Sequence, residues 1–411
     1  MCATLPESIL SLPSSAPSPI RAIALLAFAS FASQSMVRVT DSLLPQIAAD
    51  FGTSVGAAAI VITAYAITHG SVQLVIGPIG DRFGKFRTIT IACGCTAALV
   101  ALCGMAQSLP MLAVARLCSG AAAGWIIPLA MAFVGDVTPY ARRQQVLGSY
   151  LSGQILGQLF GQAAGGILGD LFGWRNVFFL LAAMLALATA ALARELFVNP
   201  VTRDAPRPST HRGGFVADYA AVLGDPWARI VILAVAIEGA ALWGSFAYVG
   251  ADLHLRSGVS FAMVGVVVAS FGLGGLAYSL SVRILVGRFG QIGLAVGGGL
   301  MLAAAYLALV AVPWWLAPLP VIGIGLGYYC LHNTLQTNAT QMTPQARGTA
   351  VALFSSALYL GQTLGVAAGA FVVDRYSAVP LFVVAAIALP TLALWFAHHL
   401  RTRMRERPAD T

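Results

Sequence analysis

Four ionisable side chains interrupt stretches that are otherwise apolar: Arg38 and Asp41, three residues apart, then Arg116 and Glu238. In hydrocarbon, an Asp or Arg at the centre of a span costs about 2.5–3.5 kcal/mol, so four unpaired ones would cost on the order of 10 kcal/mol. Such groups face each other or a water-filled cavity. A carboxylate in that setting can also shed its charge by taking a proton. The chemistry in view is therefore proton carriage and charge recognition rather than bond-making, and no catalytic residue or metal ligand set is assigned. Asp41 and Glu238 are the first candidates for protonation. Arg38, one turn from Asp41 on the same face, and Arg116 could complete an Arg–Asp–Arg cluster. The plain alternative for Asp41 is a fixed ion pair with Arg38; for Glu238 it is a structural bond to neighbouring hydroxyls, or a counter-charge for a cationic substrate.

The elements that position these groups follow from composition. Of 411 residues, 58% are hydrophobic and 9% charged, against roughly 25% charged in a soluble chain. Apolar runs fall near 21–46, 57–78, 88–107, 110–137, 145–168 and 174–193, and again near 228–250, 260–284, 291–311, 316–340, 348–373 and 379–399. Each is long enough to cross a bilayer as a helix. Lipid-exposed backbone must satisfy its own hydrogen bonds, and the runs are too uniformly apolar for barrel strands. The expectation is an all-α membrane protein of twelve transmembrane helices in two parallel six-helix repeats. The segments are a disordered tail over 1–20, a first bundle over 21–193, a linker over 194–227, a second bundle over 228–400 and a basic tail over 401–411.

Charge sets the expected orientation. Of the 23 Lys and Arg residues, 18 fall on one side of the spans; Arg175, Arg256 and Arg375 fall on the other, and Arg38 and Arg116 lie within. The positive-inside rule places both termini in the cytoplasm of a plasma or bacterial inner membrane. The net charge of +8 is scattered in short clusters, which excludes a nucleic-acid partner. The cysteines other than Cys2 lie in apolar runs and are expected to be buried thiols. No Walker A loop is present, so ATP-driven transport by this chain alone is not expected.

The two halves repeat. Asp81-Arg82-Phe83-Gly84 aligns with Gly287-Arg288-Phe289-Gly290, Thr138-Pro139 with Thr343-Pro344, and Gly157-Gln158 with Gly361-Gln362. The offsets are 206, 205 and 204 residues. Parallel repeats about an axis along the membrane normal suit carriers that rock two halves about a central site.

The stretch Gly77-Pro78-Ile79-Gly80-Asp81-Arg82-Phe83-Gly84-Lys85-Phe86-Arg87 resembles the signature loop between spans two and three of the major facilitator superfamily, with Ile79 in place of Leu. In that family the loop latches the inward-closed state. The resemblance implies that role for Gly77, Asp81, Arg82, Gly84, Lys85 and Arg87, with Asp136 as acidic partner. Arg116-Leu117-Cys118-Ser119-Gly120 resembles the family's Arg-x-x-x-Gly motif of proton-coupled members. Gly148, Gly157, Gly161, Gly165 and Gly166 follow the spacing of its antiporter signature, with Gln162 where that signature has Pro; close helix packing is the plain alternative.

The resemblance implies a 12-helix drug:proton antiporter, a monomer needing no cofactor because the proton gradient drives it. Its partners would be protons, the lipid bilayer and a small amphipathic or cationic substrate. Import of a small metabolite by proton symport is the alternative, and a non-transporting sensor or scaffold is the rival of another class. His69, Gln154, Gln158, Trp243, Tyr248, His332, Asn333 and Gln336 are candidates to line the substrate cavity, each with an ordinary packing role as its alternative.

Overall fold

The computed structural model describes residues 19–138, 140–203, 214–343 and 346–406, all helix and connecting turns. The N-terminal tail, most of the Arg- and Pro-rich part of the linker and the last residues of the basic tail lie outside that set, as do the surroundings of Gly77 and the side chain of Asp81. Among the described residues ten helices are long and apolar enough to cross a membrane. One of them, Phe261–Ala311, has 51 residues, which as a straight rod would reach roughly twice the ~30 Å hydrocarbon thickness. Gly290 breaks it at φ 62°. Gly274 and Gly298 both press on one stretch of the following helix, at Ile322–Leu326 and Gly327–Leu331 respectively, so the rod is a hairpin of two spans. The 33-residue helix Tyr140–Phe172 is a further span, and the expected twelve are accommodated.

In chain order, spans one to six are Ile20–Asp50, Val55–Val72, Lys85–Gly104, Leu109–Val137, Tyr140–Phe172 and Trp174–Val198. A short helix, Gly214–Gly224, follows in the linker. Spans seven to twelve are Pro226–Ser257, the two arms of Phe261–Ala311, Trp314–Ala339, Arg347–Arg375 and Val379–Glu406. The last span continues through Arg401, Arg403 and Arg405, so part of the basic tail is helical.

The duplication is visible in the backbone. Positive-φ glycines close the same turns in both halves, Gly52 with Gly258 and Gly84 with Gly290, each pair 206 residues apart. Only glycine adopts such angles without a Cβ penalty, which is why the turns persist as glycine in both copies. Within each bundle one seam repeats. Side chains at Gly157, Gly161 and Gly165 of span five would collide with the backbone of span one at Phe31, Ser35 and Val39. Gly361 and Gly365 of span eleven stand in the same relation to Ala236 and Ala240 of span seven. The antiporter-like glycines are therefore packing residues, whatever else they do.

Two faces result. The linker face carries Arg21, the linker helix and the end of span twelve; the opposite face carries the loops after spans one, three, five, seven, nine and eleven. Lys85 bonds Asp136 at 2.7 Å on the linker face, within the first bundle. Arg82 and Arg87 are exposed there. Arg21 reaches Glu195, which is 2% exposed, at 3.2 Å. Cys93, Cys103 and Cys330 are buried as expected, but Cys95 is exposed, because an apolar run in a membrane protein presents part of its surface to lipid.

Candidate functional site

Of the ionisable residues picked out by type, Arg38 reaches across the contact between bundles. Span one positions Arg38 and Asp41 one turn apart, 4% and 2% exposed. The Arg38 Nη1 to Asp41 Oδ2 distance is 3.9 Å, the outer limit of an ion pair. The guanidinium instead lies flat on an indole of the other bundle, its carbon 3.3 Å from the ring centroid of Trp243. A desolvated cation–π contact of this kind contributes about 2 kcal/mol. Arg38 Nε, Asp41 Oδ2 and Trp243 Nε1 have no hydrogen-bond partner among the described residues.

Arg116 lies close enough for its charge to act on Asp41, but among the described residues its direct bonds go elsewhere. Its Nε donates to the Val61 carbonyl at 3.0 Å and its Nη1 to the Met36 carbonyl at 3.3 Å. The ring of Tyr65 lies 4.1 Å from its guanidinium carbon. Carbonyl dipoles and a ring face thus compensate a fully buried charge, and Arg116 ties spans one, two and four together.

Span seven supplies Glu238 and Trp243 through an irregularity. The α-helix ends at Glu238, a π-helical turn covers Gly239–Trp243, and α-helix resumes at Gly244. π-Turns are rare and cluster at functional sites. Glu238 is completely buried and its Oε2 lies 2.7 Å from His332 Nδ1 on span ten; Oε1 is unpartnered. The His332 ring stacks on Tyr328 at 4.8 Å, and Tyr328 meets Trp243 at 5.1 Å. A continuous chain of groups therefore runs from Asp41 through Arg38, Trp243, Tyr328 and His332 to Glu238. Phe246 and Phe271 back the indole at 5.7 and 5.2 Å.

The remaining candidates divide. His69 is buried between Tyr65 and Tyr359, at 5.3 and 4.5 Å, with Nδ1 unpartnered. Gln154, Gln158 and Gln162 form one stripe on span five at four-residue spacing; Gln154 reaches Tyr150, and the Gln158 amide nitrogen has no partner among the described residues. Gln162, which replaces the signature proline, brings its side-chain amide to the Asp41 carboxylate, while its carbonyl receives the Ser42 hydroxyl at 2.7 Å. Asn333 and Gln336 on span ten are half-buried. Tyr248 lies in the seam, its hydroxyl donating to the Val366 carbonyl at 2.7 Å. That contact gives it a packing role rather than a free cavity surface.

Three features escaped sequence reasoning. The π-turn leaves no signal in composition. The pairing of Glu238 with His332 joins residues 94 positions apart, a contact that periodicity cannot specify. Asp170 and Asp374, which bond helix starts across the interface, were legible in principle, being 204 residues apart like the span-five and span-eleven glycines.

Comparison with known proteins agrees with this architecture. The YceJ MFS-type transporter of Bacillus subtilis is 26% identical over 336 residues, 80% of this chain and 83% of that one. The multidrug resistance protein fnx1 of Schizosaccharomyces pombe is 24% identical over 240 residues, 55% of this chain and 45% of that one. The crystal structure of the POT family transporter PepTSo superposes with a TM-score of 0.75 at 14% identity, covering 95% of this chain and 99% of that one. The Major Facilitator Superfamily model matches residues 23–349, and with the helical repeat, the buried charges and these relatives in agreement, the chain belongs to that superfamily and is a multi-pass membrane transporter, not an enzyme.

Proposed function

We propose that this transporter exports a small amphipathic or cationic compound in exchange for protons, by alternating access, with Asp41 and Glu238 as proton carriers. The observation that carries the reading is the Arg38 guanidinium. It stands between the Asp41 carboxylate at 3.9 Å and the Trp243 ring at 3.3 Å, so one cation already occupies the aromatic face and the carboxylate that a substrate cation would seek. A substrate entering there displaces Arg38 from the indole, and Asp41 and its proton respond to where Arg38 goes. The amides of Gln154, Gln158 and Gln162, one turn apart on span five, supply neutral polar groups leading to that point, Gln162 beside Asp41 itself. The multidrug resistance relative supports the substrate class.

In this reading both termini are cytoplasmic, the membrane is a plasma or bacterial inner membrane, the transporter is a monomer, and no cofactor takes part. Moving one charge through 100 mV supplies roughly 2.3 kcal/mol, enough for modest accumulation. The unwedged Gln162, in place of the antiporter proline, favours proton-coupled import as a second reading.

The test uses purified protein in liposomes with an imposed pH gradient, following lumenal pH while cationic, neutral and anionic compounds are added. Proton release on addition of a cation by the parent, silent in Asp41→Asn or Glu238→Gln, supports antiport and names the carrier. Protons and compound moving together select import. Labelled compound crossing without proton movement refutes the coupling.

A further inference from the structure

The two bundles meet along two seams that close at the face opposite the linker. In the first, the Asp374 carboxylate at the end of span eleven accepts the Ser54 hydroxyl at 2.6 Å and the Gly56 N–H at 2.8 Å, at the start of span two. In the second, the Asp170 carboxylate at the end of span five accepts the Ala262 N–H at 3.2 Å, at the start of span eight. The parts correspond through the repeat. Ser54 and Ser260, like Gly56 and Ala262, are 206 residues apart; Asp170 and Asp374 are 204 apart. Each serine also caps its own helix, accepting from Ala57 N and Met263 N.

The first four N–H groups of a helix lack intrahelical partners and sit at the positive end of its dipole, so a carboxylate there is stabilising. Here each carboxylate belongs to the opposite bundle from the helix it caps. A cap within one bundle would persist in every state. A cap across the interface survives only while that face is shut. On the linker face, by contrast, the Lys85–Asp136 bond lies within one bundle.

We infer that Asp374 and Asp170 are positioning residues of the transport cycle, a duplicated latch that holds the face opposite the linker closed and parts once per turnover, with Asp374 the stronger copy. The inequality has a visible cause. A side chain at Gly56 would collide with the Asp374 carboxylate and the Ala370 carbonyl. Ala262 carries that methyl, and its carboxylate makes one longer bond where Asp374 makes two short ones. Both carboxylates are exposed, so salt weakens the latch. This inference rests on alternating access alone and is independent of the substrate and of proton coupling.

The experiment measures distances between nitroxides at Gln107 and Trp315, one on each bundle at this face, in the full-length transporter on a cysteine-to-alanine background in nanodiscs. Asp374→Ala is expected to raise the open-to-closed ratio about tenfold, which corresponds to about 1.4 kcal/mol. Asp170→Ala should raise it by about threefold, in keeping with a single weaker charge–dipole contact. Gly56→Ala should imitate Asp374→Ala, Asp374→Asn should fall between it and the parent, and Ala262→Gly should favour the closed form. Added salt should open the parent more than Asp374→Ala. A distance distribution unchanged in both Asp374→Asn and Gly56→Ala, with melting temperatures at the parental value, overturns the inference. A larger shift from Asp170→Ala than from Asp374→Ala overturns the ranking. Should Asp374→Ala fail to fold, the Asn and Gly56 variants decide.

Discussion

The two bundles share a scaffold and differ in their chemistry. Around span one, Arg38 and Asp41 sit on a single helix with a loose 3.9 Å contact, and Arg38 is shared with Trp243 across the interface. Around span seven, Glu238 and His332 come from two helices of one bundle and meet at 2.7 Å. Neither set has an ionisable counterpart. Span seven carries Trp243 and Phe246 where span one has Arg38 and Asp41, and span one carries Ser33 where span seven has Glu238. The glycine seams and turns that are duplicated hold helices; the charges that are not duplicated sit where the halves must behave differently. A loosely held carboxylate is suited to exchange partners, and one bonded to a histidine to pass its proton within that pair.

That contrast can be broken by variants. The largest effect is expected from Asp41→Asn, which should reduce substrate-dependent proton movement in liposomes to background while leaving the melting temperature close to parental. Glu238→Ala should act in the opposite way, destabilising by about 3–5 kcal/mol because it removes one partner of a buried pair, read as a large drop in thermal midpoint in detergent. If Glu238→Gln keeps full proton coupling, Glu238 is structural and Asp41 is the sole carrier, which sharpens the contrast. Trp243→Leu removes the cation–π contact, about 2 kcal/mol when desolvated, and should raise KM for an aromatic cation more than it lowers kcat. Arg116→Lys keeps the charge but not the fan of bonds; it should cost about 1–3 kcal/mol through unsatisfied carbonyls, seen in melting and with little change in selectivity. An Asp41→Asn variant that retains proton movement would reverse the assignment of roles.

Much of the fold was legible because a bilayer leaves few options. Hydropathy gave the spans, and the offset between Asp81-Arg82-Phe83-Gly84 and Gly287-Arg288-Phe289-Gly290 gave the duplication, which Gly84 and Gly290 repeat in their backbone angles. The cost of burying charge drew attention to Arg38, Asp41, Arg116 and Glu238, and all four are buried. Their partners were not legible. Arg116 turned to backbone carbonyls, and Arg38 to a ring 205 positions away. Sequence spacing constrains neighbours on one helix, whereas these contacts depend on how two bundles lean on each other. Tyr248 illustrates the same limit: of its two readings, cavity wall and packing residue, only the fold shows its hydroxyl bonded in a seam.

The π-turn in span seven also fixes a register. Equivalent seam positions differ by 205 residues on either side of it, as Phe31 does from Ala236 and Val39 from Gly244. A π-turn closes its hydrogen bonds over one residue more than an α-turn, so the five residues Gly239–Trp243 set the angle between the groups before it and those after it. Deleting Ala240 would restore an uninterrupted helix and swing Glu238 and Trp243 out of their present relation. The loss of one residue would thus part the buried carboxylate from the ring that Arg38 covers.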